Sequence, residues 1–294
     1  MRDPCVLGWQ CMQSILVLIG GGDRDDVIMR TAHAAAIPLG AHLEFLHVRV
    51  SASIAMRHDE HAQFAIGPSI KNVLQEFDTR ASAFSQLASD HVLDFVKLLD
   101  EQRAGGAPIT ATYREVYDAQ IEHLVEEAGK HDLVVIGRAR QKQGLAQGTL
   151  ERLIRECERP LLIPTKETPN SLTGAIMVCW NGSDNVCKTV RACEPLLARA
   201  QRLVFVSIGG LDAAAARERD QLSSLFAKQG VSAELQNLRS DGRVPEALAR
   251  AASELDATLV VMGAYGRWRL RQLVLGSCTE DSLRCIERPI LLMH

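Results

Sequence analysis

The sequence predicts an α/β protein made of two tandem, doubly wound domains, each built on a five-stranded parallel sheet. At 294 residues, the chain is long enough for two domains. Short apolar runs alternate with helical patterns in the same order twice, which is typical of parallel sheets. The two halves also end alike, with Glu-Arg-Pro-Leu-Leu-Ile at 158–163 and Glu-Arg-Pro-Ile-Leu-Leu at 287–292. A tandem duplication accounts for all three observations.

Two domains are predicted, one over residues 1–166 and the other over 174–294. The segment from Lys166 to Gly174 is polar and contains Pro and Gly, so it is interpreted as the linker.

The first half contains five predicted strands. The run 14–19 is continuously apolar, as suits a strand buried on both faces, and 109–116 alternates and is rich in β-branched residues. The predicted strands are 14–19, 43–50, 109–116, 133–136 and 161–164, and the predicted helices are 27–36, 119–129 and 150–158.

An insert at 69–103 separates the second and third strands of the first half. Its apolar residues recur at helical spacing: Val73, Phe77, Phe84, Ala88, Val92, Phe95 and Leu99. The pattern predicts one long amphipathic helix over the sheet, because an apolar stripe usually packs into a core. A mobile, partner-binding helix is the alternative.

The second half repeats the order of the first. Its predicted strands are 175–180, 203–208, 231–238, 259–262 and 289–293. A helix is expected over 186–197, another over 221–229, and a third from Pro245, because Pro is favoured in a first helical turn.

A glycine-rich segment follows the fourth strand of the second half, with the spacing Gly263-x2-Gly266-x9-Gly276-Ser277. Glycines let backbone N–H groups approach phosphate oxygens, and a helix that begins at Ser277 adds oriented donors. The alternative is a turn that needs glycine, followed by an ordinary serine cap.

The order of strands, the Asn-Gly-Ser turn at 181–183 and this glycine spacing strongly resemble the universal stress protein family. The resemblance covers about 14–164 and again 174–294. It implies a Rossmann-like, adenine nucleotide alpha hydrolase-like fold that binds ATP or ADP, with or without Mg²⁺. The residues that it assigns to the nucleotide are Asn181, Ile208, Gly263, Gly266, Gly276, Ser277 and Cys278.

Within that resemblance, Ile208 lines the adenine pocket, and Asn181 stands where the family has Asp. Because Asn can both donate and accept hydrogen bonds, nucleotide binding remains feasible. The first half departs further, since Gly20 replaces the Asp and Arg140 replaces the middle glycine. The nearby cations Arg138, Arg140 and Lys142 could clamp a phosphate, but a solvated loop is the favoured interpretation.

Other candidate sites are weaker. His58-Asp-Glu-His61 could bind a metal, although a hydrated loop is favoured because no third protein ligand is indicated. Cys278 at a helix N-terminus could have a lowered thiol pKa, although a small buried residue is the default. No nucleophile with a base and an orienting partner is found, so no catalytic residue is predicted.

The composition excludes several classes of protein. A net charge of −3 gives no electrostatic case for binding nucleic acid or an anionic membrane. No apolar stretch approaches the length of about 20 residues that a membrane span needs, and no secretory signal is visible. Eight cysteines without a C-x-x-C pair favour reduced, mostly buried thiols in a cytoplasm.

The expected function is that of a cytoplasmic stress-response protein that binds a nucleotide through its second half. The alternatives are a slow ATPase and a nucleotide-free interaction scaffold. The last strands of the two halves are short, apolar and preceded by Pro160 and Pro289. We expect them to pair antiparallel within one chain about a pseudo-two-fold axis, because an unpaired apolar edge favours aggregation. Further homodimerisation stays open.

Overall fold

The computed structural model describes residues 12–49, 68–101, 109–118, 120–138, 148–239, 242–264 and 277–294. In these residues ten strands form one sheet: β1 (Ser14–Ile19), β2 (His42–Arg49), β3 (Ala111–Tyr117), β4 (Leu133–Ile136), β5 (Leu161–Ile163), β6 (Ala175–Cys179), β7 (Arg202–Ile208), β8 (Ser232–Leu238), β9 (Ala257–Gly263) and β10 (Ile290–Met293). The helices are α1 (Asp25–Leu39), α2 (Pro68–Glu101), α3 (Ile121–Gly129), α4 (Thr149–Glu156), α5 (Asp184–Ala192), α6 (Glu194–Leu197), α7 (Ala213–Lys228), α8 (Val244–Glu254) and α9 (Ser277–Cys285).

The strand order is β3-β2-β1-β4-β5-β10-β9-β6-β7-β8. Within each half all neighbouring strands are parallel. From the first strand of each half, the chain first winds outward and then crosses to the other side. This is the doubly wound topology with a switch point between β1 and β4, and again between β6 and β9. The predicted fold class is confirmed.

The two halves join through their last strands. β5 and β10 pair antiparallel, with Leu162 opposite Leu291. Each of these leucines lies two residues after the proline of its half, so the pairing is centred on equivalent positions. That symmetry confirms the predicted pairing within one chain and gives the junction a local pseudo-two-fold axis.

The central strands are buried on both faces because helices cover each side of the sheet. One face carries α1, α2, α5, α6 and α7, and its buried residues form one hydrophobic cluster that includes Leu162 and Leu291. The other face carries α3, α4, α8 and α9 over a second cluster that includes Leu161 and Ile290. Both clusters run through the junction, so the apolar core is continuous between the halves.

The insert in the first half is one long helix, α2, as predicted. Ala88, Val92 and Phe95 on its apolar stripe are buried. The ring of Phe95 meets the ring of Phe45 on β2 edge-on, with 6.0 Å between centroids. The stripe therefore belongs to the core, which disfavours a mobile, partner-binding helix.

Helix boundaries differ from the prediction where capping or proline decides them. α7 begins at Ala213 rather than at residue 221, because Asp212 accepts hydrogen bonds from the backbone N–H groups of Ala214 and Ala215 at 3.0 and 2.8 Å. The single helix expected over 186–197 is two helices, α5 and α6. Pro195 in the first turn of α6 has no N–H to continue the hydrogen bonding of α5.

Candidate functional site

The predicted nucleotide residues of the second half converge on one edge of the sheet. β6, β7 and β9 are parallel neighbours, so their carboxyl ends meet there. Asn181 follows β6, Ile208 ends β7 and Gly263 ends β9. α9 also starts at this edge, at Ser277, because it leads back into β10, which is parallel to β9. Gly266 and Gly276 lie outside the described residues.

The turn after β6 is held by its own side chains. The exposed Asn181 accepts a hydrogen bond at Oδ1 from the backbone N–H of Ser183 at 3.0 Å. Ser183 caps α5 by accepting from the N–H of Val186 at 3.4 Å. Among the described residues, no partner accepts from the Asn181 amide nitrogen, which is thus available to a ligand.

Gly263 packs directly against the start of α5. A Cβ at this position would lie 2.6 Å from the backbone nitrogen of Val186 and 2.9 Å from the carbonyl carbon of Asn185. The side-chain amide of Asn185 donates to the carbonyl of Ala264 at 2.5 Å, which fastens the end of β9 to the helix. Glycine is therefore required here by packing alone, and a contact between Gly263 and phosphate stays a prediction.

The peptide around Ile208 is fixed by a residue that sequence analysis missed. With its amide nitrogen facing β7, Asn237 on β8 donates to the carbonyls of Ser207 at 3.2 Å and Gly209 at 2.8 Å. Ile208 itself is half-buried, as a residue that lines a pocket would be. The feature that could have identified Asn237 in the sequence is its position near the end of the strand next to β7.

Cys278 differs from both expectations. The residue is exposed rather than buried, and partial burial of its thiol raises rather than lowers the pKa of Cys278. Burial, followed by the nearby Cys278, raises the pKa of Cys179 to about 12. All six described cysteines are free, but only Cys157, Cys187 and Cys193 are buried. The thiols at this edge are therefore protonated at neutral pH and are poor nucleophiles.

In the first half, a carboxylate fills the corresponding turn. Asp25 is 2% exposed and accepts hydrogen bonds from the backbone N–H groups of Gly20 and Gly21 at 3.1 and 2.8 Å. The Nδ1 atom of His91 on α2 lies 3.5 Å from the same carboxylate. α2 also covers the turn, since a Cβ on Gly21 would lie 2.1 Å from the carbonyl oxygen of Phe84. Two donors that could face an anion are thus already satisfied.

The helix positions of the two halves can be matched directly. Thr31 and Thr189 each donate a hydroxyl hydrogen bond to the carbonyl four residues earlier, both at 2.7 Å. Counted back six residues from these threonines, the buried Asp25 corresponds to Ser183. The first half therefore has a carboxylate where the second has a hydroxyl.

Arg138 is not the solvated loop cation that the sequence favoured. It is half-buried and donates from Nη2 to the carbonyl of Ile286 at 3.4 Å, across the junction of the halves. Burial, and then the charge of Arg24, lower the pKa of Arg138. Arg140, Lys142 and the segment 58–61 lie outside the described residues. Among the described residues, no cluster of three or more His, Cys, Asp or Glu side chains could hold a metal ion.

Comparisons with known proteins agree with this geometry. Residues 189–294 match the model of the universal stress protein family. A universal stress protein from Synechocystis sp. is 29% identical over 178 residues, a match that covers 58% of this chain and 61% of that relative. The second half of the chain is therefore similar to the universal stress protein family over residues 189–294.

Solved universal stress proteins extend the comparison to the whole fold. One from Archaeoglobus fulgidus aligns with 96% of this chain and 98% of its own, at 14% identity and a TM-score of 0.65. The doubly wound fold of both halves is therefore a known one. A shorter universal stress protein from the same organism, in complex with dAMP, covers 40% of this chain and 96% of its own at 23% identity and a TM-score of 0.31.

None of the helices in the described part of the chain is both long and apolar enough to cross a membrane.

Proposed function

We propose that the second half of this protein binds an adenine nucleotide, ATP or ADP. The observation that carries the proposal is the convergence of Asn181, Ile208, Gly263 and the start of α9 at the switch point between β6 and β9. Ligands of doubly wound sheets bind in this crevice, outside the carboxyl ends of the strands.

Each part of the crevice suits one part of a nucleotide. The N-terminus of α9, with Ser277 and the backbone N–H of Cys278, would hold the phosphates, because helix N-termini carry free donors and partial positive charge. Gly266 and Gly276 would let the phosphates approach the backbone closely. Ile208 would line the adenine, and the free amide of Asn181 would bond the base or sugar.

The first half would serve as a structural partner. Its Asp25 carboxylate satisfies the backbone donors of the turn, and Gly20 offers no side chain to a base. One nucleotide per chain is therefore expected. A signalling or stress-response role in the cytoplasm follows the family resemblance, as does further homodimerisation as an option.

Nucleotide turnover is expected to be negligible. ATP hydrolysis needs a group that orients the attacking water, and usually Mg²⁺ held by oxygen ligands. The described residues around the crevice offer amides and hydroxyls, but no evident base. Sustained phosphate release with Mg²⁺ that disappears in Ser277→Ala protein would establish the slow ATPase instead.

Isothermal titration calorimetry with ATP and ADP tests the proposal. We expect one tight site per chain, and the loss of this site in Gly276→Val protein, because a branched side chain would occupy the space of the phosphates. Gly129→Val is the matched control, since a Cβ at Gly129 meets no atom within 4 Å and lies in the first half. Unchanged affinity in folded Gly276→Val protein would refute the site, and no binding to the wild type would favour the nucleotide-free scaffold.

A further inference from the structure

The switch point of the first half differs in charge from that of the second. β1 and β4 are parallel neighbours, with Leu18 opposite Ile136. Arg24 is the residue just before α1, in the turn after β1, and Arg138 is the second residue after β4. Both arginines are therefore placed at the crevice where doubly wound sheets bind ligands.

Neither guanidinium is neutralised by a described carboxylate. Of the acids around Arg24, Asp25 accepts from the amides of Gly20 and Gly21, and Asp26 pairs with Arg30 at 2.7 Å. Asp23 is exposed and forms no ion pair with a described residue. Arg138 donates one hydrogen bond from Nη2 to the carbonyl of Ile286, while its buried Nε has no hydrogen-bond partner within the described residues.

The two positive charges also act on each other. Burial lowers the pKa of Arg138, and the charge of Arg24 lowers it further, in agreement with their places at the ends of the paired strands β1 and β4. An unpartnered buried donor and an uncompensated pair of like charges both cost stability. A bound anion would remove both costs together.

Among its described residues, the second half has no equivalent pair. Gly137 and Gly263 occupy the same place after β4 and β9, so Ala264 stands where the first half has Arg138. The start of α5 there presents Asn185, whose amide bonds the carbonyl of Ala264. In the described part of the chain, the crevice is thus common to both halves, and this pair of charges lies in the first.

We propose that Arg24 and Arg138 form an anion site in the first half that binds a phosphate-bearing ligand without contacting a base. Guanidinium groups are suited to phosphate because their N–H donors match its oxygens in pairs. A nucleobase finds no contact in the turn, where Gly20 has no side chain and Asp25 holds the backbone donors. The site is independent of the nucleotide site proposed for the second half.

Calorimetric titration with tripolyphosphate, a phosphate chain without a base, tests the site on the full chain. We expect one additional site that persists in Gly276→Val protein. Arg24→Gln and Arg138→Gln should each weaken it by at least about tenfold, the usual scale for one charged hydrogen bond. Arg30→Gln is the matched control, since it removes the same charge from α1 at an arginine already paired with Asp26.

The outcomes are distinct. Loss of affinity in Arg30→Gln equal to that in Arg24→Gln would reduce the effect to net charge and overturn the proposal. Binding insensitive to Arg24→Gln, or abolished by Gly276→Val, would place the anion elsewhere. Among the described residues, Arg24 forms no hydrogen bond or ion pair across the junction, so its variant keeps the test valid if Arg138→Gln unfolds. In Gly276→Val protein, ATP binding much tighter than tripolyphosphate would show that a base is contacted after all.

Discussion

The turn after the first strand is built differently in the two halves of this protein. In the second half it is short and neutral, with Asn181 and Ser183 satisfying only local backbone groups. In the first half it is longer, and the buried Asp25 bonds two backbone amides beneath α2. Strand order is the same in both. Duplication has therefore preserved the frame, while the chemistry of each crevice depends on a few loop residues.

Equivalent substitutions on the two sides of the β5–β10 junction should have similar effects on stability. Leu162 and Leu291 are fully buried and lie opposite each other. We expect Leu162→Ala and Leu291→Ala each to lower the free energy of unfolding by about 2–5 kcal/mol, the range for buried leucines. Because the two residues are in contact, the double variant should differ from the sum of the single ones. Urea denaturation measures all three, and a large inequality between the single variants would break the pseudo-symmetry.

Gly21 should be the least replaceable described residue of the first turn. It has a φ of 75°, and a Cβ would lie 2.1 Å from the Phe84 carbonyl oxygen. We expect Gly21→Ala to cost about 2–4 kcal/mol through backbone strain and displacement of α2. Gly40→Ala is the control, because Gly40 has a φ of 63° but a Cβ there meets nothing within 4 Å. Equal thermal destabilisation of the two variants would show that α2 does not press on the turn.

Alanine substitutions at Gly137 and Gly263 should differ in their effect on stability. At Gly263 a Cβ would meet backbone atoms of α5, whereas at Gly137 it would meet the end of the flexible Ile28 side chain at 2.7 Å. Gly263→Ala should therefore cost about 1–3 kcal/mol, and Gly137→Ala clearly less. Chemical denaturation of both proteins provides the comparison, and the reverse order of stabilities would contradict the packing described for Gly263.

Acidification should destabilise the first half through protonation of His47. This residue is 1% exposed, and burial lowers the pKa of His47, whereas the matching position on β7 is Ser207, which does not titrate. The unfolded chain binds this proton more tightly than the folded chain does. The contribution of His47 to the free energy of unfolding is therefore complete above pH 6.5 and is lost as the pH falls towards the folded pKa. In melting curves between pH 7 and 5, His47→Ser should reduce the loss of stability on acidification. An unchanged slope would show that His47 takes up its proton without cost.

The sequence was sufficient to predict the features that depend on apolar periodicity and on the positions of proline. The strands, the long α2 helix and the pairing of the last strands follow from apolar runs and from Pro160 and Pro289. The sequence could not predict contacts between distant segments. The bonds of Asp25 to Gly20 and Gly21 depend on how α1 docks, and the contact of Arg138 with Ile286 depends on how the halves meet. The predicted roles of Gly266 and Gly276 lie outside the described residues and stay predictions.

Photo-crosslinking with 8-azido-ATP, followed by mass spectrometry of the labelled peptides, tests the central claim most directly. The claim is that the second half contacts the adenine of one nucleotide and the first half contacts none. We predict labelling confined to residues 174–294, saturating at one per chain and suppressed by unlabelled ATP. Specific labelling of peptides from residues 12–138, or saturation at two per chain, would contradict the account.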